Sequence, residues 1–176
     1  LVNTGVERAS GIVKSLNNYS RSNTDQMTLC DIHAIINDCL VILFSNYKHR
    51  IEIIKDFTEE GFDLMGYSGK LNQVFLNILN NAVQAIANEG TIKIKTIIKS
   101  NKLVVEIEDN GCGISKKILP KIYDPFFTTK APGEGTGLGL SITYKIIEDH
   151  GGRLKYESEE GEGTKAIVEL PLIKKG

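Results

Sequence analysis

"LNQVFLNILNNAVQAI", residues 71–86, repeats its apolar side chains at helical spacing. Leu71, Val74, Phe75, Ile78, Leu79, Ala82 and Ile86 share one face. The pattern predicts a helix over 71–87. The opposite face carries amides: Gln73, Asn77, Asn80 or Asn81, and Gln84. A polar stripe is ordinarily a solvated face, but solvated faces favour Lys, Glu and Arg. Asn is a poor helix former, costing roughly 0.5 kcal/mol or more relative to Ala. Four Asn between positions 72 and 81, with no charge among them, point instead to a stripe kept for binding. Asn77 and Asn81 lie one turn apart, so two carbonyl oxygens can converge on a hard cation or a phosphate. Nothing in the stripe is ionisable. It supplies ligands and no general base.

Outward from this helix the chain alternates between the two periodicities. Before it, Val2 to about Tyr19 reads as an amphipathic helix that needs a partner to bury against, followed by a polar linker "SNTDQ". Met27 to Cys30 reads as a short strand, and Asp31 caps a helix to about Tyr47. "RIEIIKDF" and Phe62 to Gly66 read as strands. After the helix, "TIKIKTIIK" and "KLVVEIED" form a hairpin about Ser100-Asn101. A second helix, Leu138 to His150, stops at Gly151 and Gly152, and "RLKYESE" and "TKAIVELP" form the last hairpin. Helices gathered on one face of a mixed, mostly antiparallel sheet make an α+β two-layer sandwich.

The totals exclude several classes. A chain of 176 residues with 41% hydrophobic residues can bury a core in one domain. A net charge of −1 leaves no basic footprint for nucleic acid or an anionic membrane surface. Cys30, Cys39 and Cys112 are odd in number and widely spaced, which predicts reduced thiols in a cytoplasmic setting. The longest uncharged run, Leu71 to Asn88, carries seven amides and is no membrane span. A start at Leu1, without Met, leads us to expect a fragment or a processed product.

Three further stretches carry chemistry. "IEDNGCGI" ends a strand with Asp109 and turns at Gly111 and Gly113; its carboxylate can accept from the exocyclic amine of a base. "IYDPFFTTK" sets two aromatics, at least one of them a core plug, before Thr128, Thr129 and Lys130, a mobile cation that can meet a phosphate. "GTGLGLS" leads into a helix, where backbone N–H groups bind anions and glycines let a polyphosphate approach. It is no Walker loop, since no GK[ST] follows. The Pro- and Gly-rich stretch 124–136 is expected to act as a lid that orders over a ligand.

In this order the stretches resemble the ATP-binding domain of sensor histidine kinases, in the superfamily shared with DNA gyrase, Hsp90 and MutL. "NQVFLNILNNAVQAI" is similar to the N box, "DNGCGI" to G1, "DPFFTTK" to the F box and "GTGLGLS" to G2. "FFTTK" and "NAVQA" resemble the nitrogen-regulation branch. The resemblance spans roughly residues 23 to 172. It implies ATP and magnesium, with Asn81 as the metal ligand and Asn77 its neighbour at the reacting end. It implies that Asp109 contacts the adenine amine, with Thr164, Gly111, Gly113 and Ile114 nearby. It further implies that Gly135, Thr136, Gly137 and Gly139, with the backbone of Leu138 and Leu140, hold the phosphates. Two positions depart from the family. Gln84 stands where many members carry Lys or Arg, which shifts phosphate contact toward Lys130, and Gly66-Tyr67 stands where many have Gly-Asp.

Residues 1–22 resemble the end of a dimerisation hairpin, and 23–176 the ATP-binding domain. The helix bearing the phosphorylated histidine is not in the sequence. His33 and His49 lack its context, and His150, ending a helix, reads as structural, where a cation suits the dipole. The related ATPases place a Glu four residues before the magnesium Asn to activate water; that position here is Asn77. The resemblance therefore implies transfer of the γ-phosphoryl group to a histidine of the dimerisation domain, in a homodimer, and then to a receiver domain. The alternatives are a gyrase- or MutL-like ATPase and a nucleotide-binding module without kinase activity. Neither nucleic acid nor direct membrane contact is expected, and the domain is expected to be cytoplasmic.

Overall fold

The structure, a computed structural model, describes residues 26–130 and 135–173. The segment read as a dimerisation helix, and 131–134 of the expected lid, lie outside the described residues. Helix α1, Ile32–Tyr47, begins where Asp31 accepts the Ala34 N–H at 3.0 Å, the cap expected from the sequence. Helix α2, Ser68–Ala85, buries the whole predicted stripe from Leu71 to Ala82, with Val83 added. It starts three residues before the stripe because Leu71 N–H already bonds to Tyr67 O at 2.9 Å. That first turn, Ser68-Gly69-Lys70, has no apolar residue to reveal it. Helix α3, Gly139–Asp149, buries Thr143, Ile146 and Ile147.

Among the described residues seven strands follow the sequence order: β1 (Thr28–Leu29), β2 (Ile51–Asp56), β3 (Met65–Gly66), β4 (Gly90–Lys99), β5 (Lys102–Asp109), β6 (Arg153–Glu159) and β7 (Gly163–Pro171). Five make one sheet in the order β2-β4-β5-β7-β6. β2 and β4 are parallel, joined by the crossover that contains α2, and the remaining pairs are antiparallel. Among the described residues β1 and β3 pair only with each other, so the single sheet expected from the sequence is divided. A short 3₁₀ turn, Leu119–Lys121, also appears where the sequence showed no periodicity. The β4–β5 turn has positive φ at both Ser100 and Asn101, 51° and 58°, the type I′ geometry that suits a twisted hairpin.

α2 packs on β5 and β7, α3 on β6, and α1 on α2. The inward face of the sheet buries Ile92 and Ile94, then Leu103, Val105 and Ile107, then Ala166, Val168 and Leu170. Its outward face carries ion pairs such as Lys102–Glu169 at 2.8 Å and Lys165–Glu108 at 2.9 Å. This is the α+β sandwich expected. Register then sets the site: Asp109 pairs with Thr164 and Thr164 with Ser158, so three polar residues share one end of three strands. The next row inward is Ile107, Ala166 and Tyr156.

His33 is structural, stacked on Phe57 at 4.3 Å with Nε2 against Thr96 Oγ1 at 2.9 Å. His150 is structural for a different reason than the helix dipole. Both of its ring nitrogens are engaged in hydrogen bonds to the protein.

Candidate functional site

A cavity of about 1020 Å³ opens between α2, the Asp109 end of the sheet, the 112–130 segment and the start of α3. The amide stripe forms its helical wall. Gln73, Asn77, Asn80, Asn81 and Gln84 all line it, with Gln84 at its exposed edge. Lys130 Nζ donates to Asn81 Oδ1 at 3.2 Å and also to Gln84 Oε1. Two amide oxygens thus converge on a cationic group, the donor set that suits a hard cation. Gln84, in place of a basic residue, is one of the acceptors that hold this ammonium. Asn77 is used differently: its Nδ2 donates to Gly139 O and to Thr143 Oγ1, each at 3.3 Å, tying α2 to the first turn of α3.

Asp109 forms the far end, only 6% exposed. Its Oδ1 accepts the Gly111 N–H at 2.9 Å. Burial raises its pKa, opposed by the backbone N–H groups of Gly111 and Thr164, with a smaller upward push from Glu108. Beside it, Ser158 Oγ donates to Gly163 O at 2.7 Å and accepts the Ile114 N–H at 2.8 Å. With that proton engaged, the 2.8 Å contact between Ser158 Oγ and Thr164 Oγ1 is a bond donated by Thr164. Thr164 therefore offers the cavity lone pairs only. Ser158 orders this corner, and the sequence reading missed it.

Of the residues expected from the sequence, Gly113, Ile114, Gly135, Thr136, Gly137, Gly139 and Leu140 line the cavity with the groups above. Gly111 and Leu138 do not. Gly111 sits behind the wall against Ala85, and Leu138, the residue before α3, is buried. Part of the glycine requirement is internal. Gly137 has φ 69°, and a Cβ there would lie 2.3 Å from the Phe126 carbonyl carbon. Phe126 itself sits at φ 66°, strained for a bulky residue. Tyr156 also lines the floor, and its buried hydroxyl has no hydrogen-bond partner among the described residues. The one sequence signal for it was its inward parity in "RLKYESE".

Comparison with known proteins agrees with this geometry. The family described as Histidine kinase-, DNA gyrase B-, and HSP90-like ATPase matches residues 66–174. The signal transduction histidine-protein kinase AtoS of Escherichia coli (strain K12) is 36% identical over 97% of this chain, which covers 28% of AtoS. Sporulation kinase C of Bacillus subtilis (strain 168) is 35% identical over 82% of this chain, which covers 31% of that kinase. The chain thus spans less than a third of these relatives. The solved catalytic domain of the histidine kinase ThkA superposes with TM-score 0.74 at 34% identity, covering 83% of this chain and 95% of that one. Full-length ShkA in complex with AMPPNP shares the fold, with TM-score 0.80 at 20% identity, over 97% of this chain and 37% of that one. The agreement of family, relatives and fold places this chain in the Histidine kinase-, DNA gyrase B-, and HSP90-like ATPase family, among the catalytic domains of sensor histidine kinases.

Proposed function

We propose that this chain, as a domain spanning 23–176, binds Mg-ATP in the cavity and passes its γ-phosphoryl group to a histidine of a dimerisation domain in a two-component system. The distribution of charge on the cavity wall carries this reading. Among the described lining residues the acidic side chains are Asp109 and Glu160, and neither belongs to α2. Asn77, where a hydrolase would need a carboxylate, has no proton-accepting group with which to activate water. The attacking nucleophile must therefore bring its own base, as an imidazole does.

In this reading the Asp109 carboxylate accepts from the adenine amine, with Thr164, Gly113 and Ile114 around the base and Gly111 holding the carboxylate in place. Asn81 would hold a magnesium ion, with Asn77 one turn away. Bound there, the ion would neutralise phosphate charge. Lys130 turns its ammonium from Asn81 and Gln84 toward the phosphates. Gly135, Thr136, Gly137 and Gly139, with the backbone of Leu138 and Leu140, present N–H groups at the start of α3. The partners are the chain's own dimerisation hairpin, in a homodimer, and a receiver domain whose Asp takes the phosphoryl group. The compartment is the cytoplasm, where ATP is found.

The test supplies a dimerisation hairpin in trans with γ-labelled ATP. Label is expected on the hairpin histidine, labile to acid and stable to alkali. Steady phosphate release with an unlabelled hairpin would contradict the kinase reading.

A further inference from the structure

Helix α2 ends without a cap of its own. Its last turn holds no basic residue, and the extended Ile86 follows it. The carbonyls left over at a helix C-terminus need donors, and the dipole there favours a cation. Arg50, the half-buried residue just before β2, brings both from elsewhere in the chain. Its Nη2 donates to Val83 O at 3.0 Å and its Nη1 to Ile86 O, while Nε donates to Asn46 O of α1 at 3.0 Å. One planar fork thus holds three carbonyls, a geometry that an ammonium does not reproduce. None of the ion pairs among the described residues involves Arg50, so its charge faces the helix end.

The turn that Arg50 holds is shared by both ends of the cavity wall. Gln84 and Ala85, between the two held carbonyls, line the cavity. Cys112 N–H donates to Ala85 O at 3.0 Å, and a Cβ on Gly111 would lie 2.5 Å from that same oxygen. Gly111 N–H in turn donates to Asp109 Oδ1 at 2.9 Å. The backbone of Arg50 adds a second hold. Its carbonyl accepts the Gly90 N–H at 2.9 Å, next to Thr91, whose N–H donates to Asn110 Oδ1 at 2.8 Å. Arg50 does not itself line the cavity, so whatever it does for a ligand passes through these residues.

We propose that Arg50 is a positioning residue of this site. By gripping the Val83 and Ile86 carbonyls it fixes the last turn of α2, and through Ala85 it fixes the 110–113 turn that holds the Asp109 carboxylate. This role rests on the nucleotide site argued above. It goes beyond that site by assigning its rigidity to a side chain outside the cavity, on the far side of α2.

Two measurements on the whole chain test it, for the native protein, Arg50→Gln and Arg50→Lys. Calorimetry reads ADP affinity, and amide hydrogen exchange without nucleotide reads Cys112 against the core residue Val105. R50Q is expected to bind ADP about five- to tenfold more weakly, and its Cys112 amide to exchange about tenfold faster relative to Val105. R50K keeps the charge but not the fork, and is expected to fall between R50Q and the native chain in both. Should R50Q fail to fold, the same two readouts on R50K decide. Native ADP affinity in the variants overturns the role of Arg50 while leaving the nucleotide site standing. Faster exchange of Cys112 and Val105 alike also overturns it, since the side chain would then serve overall stability only. Failure of the native chain to bind ADP at all overturns the nucleotide site, and this role with it.

Discussion

The backbone N–H of Tyr67 donates to His150 Nε2 at 3.0 Å, joining the residue before α2 to the residue after α3. The other ring nitrogen, Nδ1, donates to Ile146 O at 2.7 Å, so the tautomer is set by two protein partners. His150 is 7% exposed, and Gly66 must be bare beside it: a Cβ there would lie 2.7 Å from Leu71 Cδ1 and 3.1 Å from the ring. The Gly66-Tyr67 pair, unexplained in the sequence, thereby has a structural function. It lets the chain pass close enough to His150 to lock two helices that both wall the cavity.

Replacing His150 by Ala should therefore destabilise the nucleotide-free chain by about 1–3 kcal/mol, because the half-buried Tyr67 N–H loses its partner and the buried ring is removed. Urea unfolding measures this, and a variant within experimental error of the native chain would mean that the lock contributes nothing.

Asp109→Asn should act in opposite directions on two measurements. ADP affinity at neutral pH is expected to fall at least tenfold, about 1.4 kcal/mol. Stability without nucleotide should be unchanged or higher, since burial disfavours the charged carboxylate that Asn replaces. Calorimetry and urea unfolding on the same preparations separate the two.

The raised pKa of Asp109 also predicts a pH profile. Protonation leaves the amine a neutral and weaker acceptor, so ADP affinity should decline on acidification, beginning above the ordinary carboxylate value of about 3.9. For folding the sign is reversed. A carboxyl whose folded pKa exceeds its unfolded one stabilises most below the unfolded pKa, and that contribution is lost as pH rises through the folded pKa. Asp109→Asn should flatten the binding profile. An unchanged slope would assign it to another group.

Asn81→Ala should weaken ADP binding at least tenfold in the presence of magnesium and much less with a chelator present. Lys130 loses one of its acceptors in this variant. A loss of equal size with and without the metal would indicate damage to the wall instead of removal of a cation ligand.

Gly137→Ala should cost at least about 1 kcal/mol of stability, since Ala is disfavoured at positive φ. The added Cβ also has backbone, not a movable side chain, 2.3 Å away. A thermal midpoint equal to that of the native chain would show that the loop relaxes freely.

Local pattern was enough for much of this protein. Side-chain periodicity marked α1, α2 and α3, alternation marked β4 to β7, and the uncharged amides of α2 announced a face that lines a cavity. These signals survive because each depends on residues within one or two turns of one another. Tertiary structure decided what depends on neighbours far apart in sequence. It separated β1 and β3 from the main sheet, paired His150 with Tyr67, and set Gly137 against Phe126. It also turned Tyr156 from one inward residue of a strand into a buried hydroxyl with no hydrogen-bond partner among the described residues. Periodicity tells which way a side chain faces, but the group it meets there is chosen by the packing of segments that carry no mutual signal in the chain.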